Sequence, residues 1–197
     1  MLLCRNVRDV GGGSMQLMEI LEQKLSPKTL LHTRNVAATA AKLAAKEGLS
    51  TEKAYLAGLL HDYAKDMTAA SLLSEAMEAG IKLDYVLEAQ PLLLHGPVGA
   101  RLIQREYGIT DREVLEAVER HTCGSKDMGP IARVVYLADI IEPARDFPGV
   151  DTIRSLADGS LTGALIAAVE ITLNRVLKRR LLIHPDSISF WNELLRE

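Results

Sequence analysis

Aromatic residues and cysteines are both scarce in this chain of 197 residues. Aromatic side chains make up only 4% of it, so Leu, Ala, Ile and Val must supply most of a hydrophobic core. The two cysteines, Cys4 and Cys123, are too few for the disulfide framework of a small secreted scaffold. We therefore expect a protein of a reducing compartment, with the cytoplasm as its location.

Excess positive charge and long apolar runs are also absent. The 23 basic and 26 acidic residues give a formal net charge of −3, whereas a nucleic-acid partner is normally met by a clustered positive surface. The most apolar stretch, residues 163–177, contains Glu170, Asn174 and Arg175, and a membrane span needs roughly 18–20 consecutive apolar residues. The amino terminus lacks the basic and apolar regions of a signal peptide. The sequence thus predicts neither a nucleic-acid nor a membrane partner.

The first 14 residues differ in composition from the rest. They end in Gly11–Ser14, whose sequence GGGS is typical of flexible linkers, and a second methionine follows at Met15. A tag and a natural frayed terminus both produce this pattern. We therefore expect residues 1–14 to be a tag-like or disordered segment and residues 15–197 to form one domain.

The remainder of the sequence is rich in helix signals. Apolar residues recur at helical spacing, helix-capping residues stand at Ser26, Ser50 and Thr68, and Thr110–Glu113 has the pattern of a capping box. Sustained alternation of period two and Asn-Gly hairpin turns are missing. Further helices are predicted to begin at His95, Pro130, Leu161 and Pro185. We predict an all-α, single-domain helical bundle of about eight to ten helices.

Asp139 is the first residue that needs a chemical explanation. Its neighbours from Val134 to Ile141 are almost all apolar, so its carboxylate is expected to be at least partly buried. A buried carboxylate is costly unless a cation, a set of hydrogen bonds or a metal compensates it. A salt bridge or a position on the helix surface is the alternative explanation.

Four of the five histidines lie at helix ends or on apolar helix faces. His32 lies within a predicted helix, His61-Asp62 ends the next, His95 begins another and His121 ends the one after it. Imidazole and carboxylate ligands together suit Fe, Mn, Zn or Co. The set exceeds what one tetrahedral site needs and could hold two metals that share a carboxylate. Two ions about 3.5–4 Å apart can polarise a phosphoryl oxygen and deliver a hydroxide. Scattered core and surface histidines are the alternative.

The order of these residues resembles a known signature. His32, His61-Asp62 and the late Asp139 resemble the H…HD…D pattern of the HD-domain metal phosphohydrolases, an all-α superfamily. Further motifs resemble one branch, the symmetrical bis(5′-nucleosyl)-tetraphosphatases. These motifs are LHDYAK at 60–65, LHGPVGA at 94–100, His121-Thr122, ADIIEPAR at 138–145 and FPGVD at 147–151. The resemblance extends from about Leu25 to Leu195.

The resemblance implies hydrolysis of diadenosine tetraphosphate to two ADP at a dinuclear centre. By position, the metal ligands would be His32, His61, Asp62, His95, His121 and Asp139. Asp62 would bridge two ions, with iron as the expected metal and manganese, cobalt or zinc as alternatives. A metal-bound hydroxide would be the nucleophile.

The resemblance also suggests residues that would contact this nucleotide substrate. Lys65 follows Asp62 by one helical turn and would offset charge on the phosphoryl oxygens, as a substrate contact and a catalytic residue. Arg145 would grip a second phosphate group. Thr122 and Gly124, in the segment after His121, are further candidate substrate contacts.

Alternatives remain at this point. Residues 29–35 lack the basic-aromatic residues associated with the branch, and Cys123 stands between Thr122 and Gly124; both departures lie outside the metal set. The same centre could hydrolyse a nucleoside monophosphate, a cyclic dinucleotide or guanosine tetraphosphate. A non-catalytic nucleotide or metal sensor is the alternative from another class. Helices rich in Ala and Leu are compatible with a homodimer.

His184 belongs to none of the ligand motifs and is predicted to be a structural or surface residue. Cys123 is close to His121 in sequence, but a small thiol of this kind is expected to be a packing residue.

Overall fold

The computed structural model describes residues 13–197, which form a bundle of helices without a strand. The α-helices are α1 (Gly13–Lys24), α2 (Pro27–Lys46), α3 (Thr51–Leu60), α4 (Ala69–Glu78), α5 (Tyr85–Ala89), α6 (His95–Tyr107), α7 (Arg112–Arg120), α8 (Pro130–Ile141), α9 (Val150–Ala157), α10 (Leu161–Lys178) and α11 (Pro185–Leu194). A 3₁₀-helix, Pro91–Leu94, leads into α6. The all-α prediction is confirmed, and ten of the α-helices have seven or more residues. In this part of the chain no helix is both long enough and apolar enough to cross a membrane.

The predicted segment 1–14 lies largely outside the described residues, because the description starts at Gly13, the first residue of α1. The boundary between a tag-like segment and a domain that starts at residue 15 therefore stays a prediction.

Side-chain caps fix the starts of several helices, and most of these capping residues are the ones predicted from the sequence. Ser26 accepts a hydrogen bond from the backbone N–H of Thr29 at 3.3 Å. Ser50 and Thr68 cap α3 and α4 in the same way. The capping-box prediction is wrong by one residue: Asp111, the residue after Thr110, accepts from the backbone N–H groups of Glu113 and Val114 in the first turn of α7. A carboxylate at this position satisfies two amides and favours the helix dipole.

Three short elements were not predicted: α5, the 3₁₀-helix and α9. They contain five, four and eight residues, too few to show a clear helical period. The 3₁₀-helix matters for the site because it ends directly before His95.

Two clusters of buried apolar side chains form the core. The first is built mainly on α8 and α10, and the second on α4, α6 and the residues that follow α3. Helices α2, α3 and α7 contribute buried residues to both clusters. Apolar packing on both sides holds these three helices in place, and each of them carries or adjoins one histidine of the predicted metal set.

Candidate metal centre

Three of the predicted ligand histidines lie at helix ends and are oriented by the backbone. His61 directly follows α3, His95 begins α6 and His121 directly follows α7. In each case Nδ1–H donates to the carbonyl three residues earlier. The acceptors are Gly58, Leu92 and Val118, at 2.7, 2.5 and 2.7 Å. With a proton on Nδ1, each ring turns Nε2 toward the cluster, and the neutral form of such a ring binds a metal through Nε2.

A close approach of α6 and α7 brings two of these rings together. A Cβ atom on Gly96 would lie 2.8 Å from the carbonyl oxygen of Glu119, so only glycine allows this approach. The Nε2 atoms of His95 and His121 are 2.9 Å apart as a result.

Asp62 lies between two pairs of imidazoles. Its Oδ1 atom is 3.0 Å from Nε2 of His95 and 3.4 Å from Nε2 of His121. Its Oδ2 atom is 3.5 Å from Nε2 of His61 and 3.7 Å from Nε2 of His32. We call Asp62, His95 and His121 the inner group. We call His32, His61 and Asp62, with the neighbouring Asp139, the outer group.

Asp139 completes the outer group from α8. Its Oδ1 atom lies 2.9 Å from Nε2 of His32 and 3.9 Å from Nε2 of His61. The side chain of Asp139 is 21% exposed, which confirms the expectation of partial burial. Arg145 donates to both the carboxylate and the backbone carbonyl of Asp139, so the charge of Asp139 is compensated. The structure thus brings all six predicted ligands into one cluster.

The residues of this cluster fit a bound divalent metal. The Nε2 atoms of His95 and His121 face each other with lone pairs, and such an arrangement is repulsive unless a cation or a proton stands between them. Within residues 13–197, His61 Nε2 and Asp62 Oδ1 are buried without a hydrogen-bond partner. Buried polar atoms without partners are costly, and a metal would satisfy both of them. Sets of three potential ligands exist in both groups, and they share Asp62.

The pKa shifts of Asp62, Asp139 and His121 suit metal binding. At His61, burial is outweighed by the charge of Asp62, which raises the pKa of His61, so His61 must release a proton when it binds a metal. Burial opposes ionisation of Asp62, but His61 outweighs it and holds the pKa of Asp62 far below its usual range. The pKa of Asp139 is lowered in the same way, since its contact with His32 outweighs burial. Burial lowers the pKa of His121 to about 4. At neutral pH both aspartates are therefore ionised and His121 is neutral, the states in which these side chains bind metals.

Lys65 lies beside the inner group. Its Nζ atom is 3.3 Å from Nε2 of His95 and 3.6 Å from Oδ1 of Asp62, and its side chain is 48% exposed. Arg145 occupies the matching place beside the outer group and is 38% exposed. Both predicted phosphate contacts are thus cations next to the cluster and open to solvent.

Thr122 and Gly124 follow His121 in a turn. The Thr122 hydroxyl donates to the carbonyl of Leu93 at 3.3 Å, which joins the turn to the 3₁₀-helix. Gly124 has a φ of +70°, and a Cβ atom there would lie 2.4 Å from Phe190. Gly124 therefore has a packing role of its own, and substrate contact by these two residues stays a prediction.

His184 and Cys123 lie outside the cluster. His184 accepts from the backbone N–H of Asp186 at the start of α11, and its Nε2 atom is 3.3 Å from Asp84. This is the structural role that was predicted. Cys123 is partly buried, and burial raises the pKa of its thiol to about 11.

Glu142 is the residue that the sequence-based site prediction missed. It is buried at the end of α8, where it accepts hydrogen bonds from His32, Asn35 and the backbone of Ala144. Burial opposes its ionisation, but these donors lower the pKa of Glu142. A carboxylate directly after a helix opposes the helix dipole, and this unfavourable position was the available signal.

The comparisons with known proteins agree with this site. The HD domain family model matches residues 29–144, a span that contains all six residues of the cluster. The symmetrical bis(5′-nucleosyl)-tetraphosphatase of Bacillus subtilis is 36% identical over 184 residues, which cover 91% of this chain and 96% of the relative. The protein of the same name from Staphylococcus aureus is 36% identical over 177 residues, which cover 88% of this chain and 90% of the relative.

A solved structure is similar over the same extent. The crystal structure of a predicted HD superfamily hydrolase involved in NAD metabolism from Clostridium acetobutylicum has a TM-score of 0.90 and 34% sequence identity. The match covers 93% of this chain and 97% of that chain. The resemblance drawn from the H…HD…D signature is confirmed, and the chain belongs to the HD domain family, in the group that contains these bacterial tetraphosphatases.

Proposed function

We propose that the protein hydrolyses diadenosine tetraphosphate symmetrically into two molecules of ADP. Relatives named for this activity are 36% identical over most of the chain. The structural observation that carries the proposal is the position of Asp62, whose two oxygens face two different imidazole pairs. A carboxylate so placed can join two cations, an arrangement that suits in-line displacement at phosphorus.

We further propose that the centre holds two metal ions. The outer group would hold one ion and the inner group the other, with Asp62 shared. Iron is the proposed metal, and manganese, cobalt and zinc are alternatives, because mixed imidazole and carboxylate ligands accept all of them. When bound, the ions supply Lewis acidity toward phosphoryl oxygens and lower the pKa of coordinated water. Elemental analysis and anomalous scattering at the iron edge, on protein purified without added metal, test this assignment.

Lys65 and Arg145 would bind the polyphosphate, one beside each metal group. Symmetrical hydrolysis breaks the central anhydride, so negatively charged phosphates lie on both sides of the reacting bond. An ammonium on one side and a guanidinium on the other can hold these oxygens in place and offset the charge that develops during reaction. When the substrate binds, Arg145 would give up part of its contact with Asp139 and contact a phosphate group instead.

The turn after His121 would supply further nucleotide contacts. The Thr122 hydroxyl and the backbone around Gly124 lie next to the inner group in sequence, and their contacts with Leu93 and Phe190 hold the turn in place. We assign this turn to substrate binding rather than to metal binding.

Product analysis tests the proposed reaction. Iron-loaded or manganese-loaded protein is incubated with diadenosine tetraphosphate in ¹⁸O-labelled water. The nucleotides are then separated and analysed by mass spectrometry. We expect ADP as the product, with label in one of each two molecules, because one water is consumed for each central anhydride broken. AMP and ATP as main products would contradict the symmetrical reaction.

A panel of other nucleotides tests the alternatives under single-turnover conditions. The panel contains a nucleoside monophosphate, a cyclic dinucleotide and guanosine tetraphosphate. Faster turnover of one of these than of diadenosine tetraphosphate would identify that nucleotide as the substrate. A fully metal-loaded protein that turns over none of them, nor diadenosine tetraphosphate, would favour a sensor.

The proposed location is the cytoplasm, and the proposed partner is this small nucleotide, without nucleic acid or membrane. A homodimer is compatible with the composition, and light scattering of the full chain measures the assembly.

A further inference from the structure

His32 differs from the other histidines of the cluster in what holds its ring. The Nδ1–H groups of His61, His95 and His121 donate to backbone carbonyls of their own helices or turns. The Nδ1 atom of His32 instead lies 3.1 Å from Oε1 of Glu142, a side chain 110 positions away in sequence. The Nδ1 side of this one ring is therefore held by a side chain distant in sequence, instead of by the backbone of its own helix.

Glu142 is itself held in one orientation. It is only 2% exposed. Its Oε2 atom accepts from the side-chain amide of Asn35 at 2.9 Å and from the backbone N–H of Ala144 at 2.7 Å. Both donors approach Oε2, so the nearest partner of Oε1 is His32, with Nε of Arg145 farther away at 3.9 Å. Asn35 is one turn beyond His32 on α2, so α2 supplies both the ligand and part of the support for its partner.

We propose that Glu142 is a positioning residue of the metal centre, which keeps a proton of His32 on Nδ1 so that Nε2 is the ring atom left to bind a metal beside Asp139 and Asp62. This inference rests on the proposed metal centre. A carboxylate that accepts the second ring proton fixes the tautomer and the ring direction and makes the imidazole a better ligand. Loss of such a partner typically weakens metal binding about 10–100-fold.

The Glu142→Gln variant is a sharp test, because Gln has nearly the same shape as Glu but has an NH₂ donor in place of one of the two acceptor oxygens. Two donors face the position of Oε2, so the Gln oxygen must occupy it and the Gln NH₂ must occupy the position of Oε1. That NH₂ would then face Nδ1 of His32 and donate to it. The ring would carry its proton on Nε2, the atom that should bind the metal.

Two measurements on the full-length chain read this out. Calorimetric titration with Mn²⁺ counts the sites and their affinities, and ¹⁵N NMR of the chelator-treated, metal-free protein reports which ring nitrogen of His32 carries the proton. For Glu142→Gln we expect one Mn²⁺ site to weaken about 10–100-fold, the other to remain, and the His32 proton to be on Nε2. A variant that binds both ions like wild type, with the proton still on Nδ1, would overturn the inference.

Two further variants separate positioning from a general loss of structure. Asn35→Ala removes one of the two donors to Oε2 while the backbone N–H of Ala144 and the contact between Glu142 and His32 remain, so Mn²⁺ affinity should fall less than in Glu142→Gln. Glu142→Asp keeps a carboxylate on the Nδ1 side and should restore the Nδ1 tautomer that Glu142→Gln loses. Neither readout depends on substrate, so wild type that binds two Mn²⁺ without cleaving diadenosine tetraphosphate would contradict the proposed function and leave this inference standing.

Discussion

The inner and outer groups share Asp62 but differ in their surroundings. The inner group consists of one carboxylate and two imidazoles, and all three side chains are at most 7% exposed. The outer group contains two carboxylates and two imidazoles. Its His32 and Asp139 are 16% and 21% exposed, and Arg145 contacts both of them.

The difference indicates separate tasks for the two groups. The inner group is buried, and its two facing imidazoles need a cation or a proton between them. Arg145 compensates part of the charge of the outer group without a metal, but the outer group still has one more ligand than the inner group, and that ligand is a carboxylate. We therefore expect the outer group to bind its ion more tightly and to open toward the substrate.

The largest effect is expected from Asp62→Asn, because it affects both groups at once. The amide keeps the shape of the side chain but loses the charge and one ligand oxygen. Bound metal should fall below the wild-type amount, and kcat/KM should fall by about a thousandfold or more, since several kcal/mol of transition-state stabilisation are lost. Elemental analysis and product assays check this. Wild-type metal content together with wild-type turnover would show that Asp62 does not join the two groups.

Removal of the metals should lower the thermal stability of the whole domain. A ligand present at 1,000 times its dissociation constant stabilises the folded state by about 4 kcal/mol, which is roughly 8–16 °C in Tm for a chain of this size. Differential scanning calorimetry with and without a chelator measures the shift. The Asp62→Asn variant is the control, because a protein that no longer binds the ions should respond little to the chelator.

Deletion of one imidazole from each group tests the proposed order of affinities. His32→Ala should remove the tighter Mn²⁺ transition in a calorimetric titration, and His95→Ala should remove the weaker one. The reason is that His32 belongs to the group with two carboxylates and His95 to the group with one. The opposite pattern would show that the inner group binds its ion more tightly than the outer group.

Lys65→Ala should affect the reaction without affecting the metals. Lys65 lies beside the inner group but is half exposed, so its loss should leave the Mn²⁺ stoichiometry unchanged. Loss of one preorganised contact to developing charge typically costs about 10²–10³-fold in rate, and kcat/KM should fall in this range. Lys42→Ala, which removes an exposed lysine of α2, is the matched control and should behave like wild type. A loss of metal in Lys65→Ala would instead indicate that Lys65 supports the inner group.

The fold could be predicted in outline because its helix starts are local features. A capping side chain and the apolar residues that follow it are neighbours in sequence, as at Ser26, Ser50 and Thr68. The elements that were not predicted lack such local features. Helix α5 and the 3₁₀-helix are too short to show a period, and their formation depends on packing that the sequence pattern does not display.

The six-residue cluster could be predicted as a set but not as an arrangement. The H…HD…D signature identifies the residue types and their order along the chain. The division of contacts between the two oxygens of Asp62 depends on how α2, α6 and α7 pack around it. The role of Glu142 depends on a contact between residues 110 positions apart, and the local sequence shows only that this carboxylate stands in an unfavourable position directly after α8.

The smallest effect is expected at Cys123, which tests whether the inner group includes a sulfur ligand. The thiol lies two positions after His121, but burial raises its pKa to about 11, so the thiolate that could bind a metal is rare at neutral pH. Alkylation of Cys123 by iodoacetamide, followed on its own peptide by mass spectrometry, should be slow at pH 7 and should accelerate about tenfold for each pH unit below the pKa. Cys123→Ala should keep both metals and full activity. Loss of one metal from this variant would place a thiolate in the inner group, and the contrast between an inner group of one carboxylate and an outer group of two would then no longer account for their affinities.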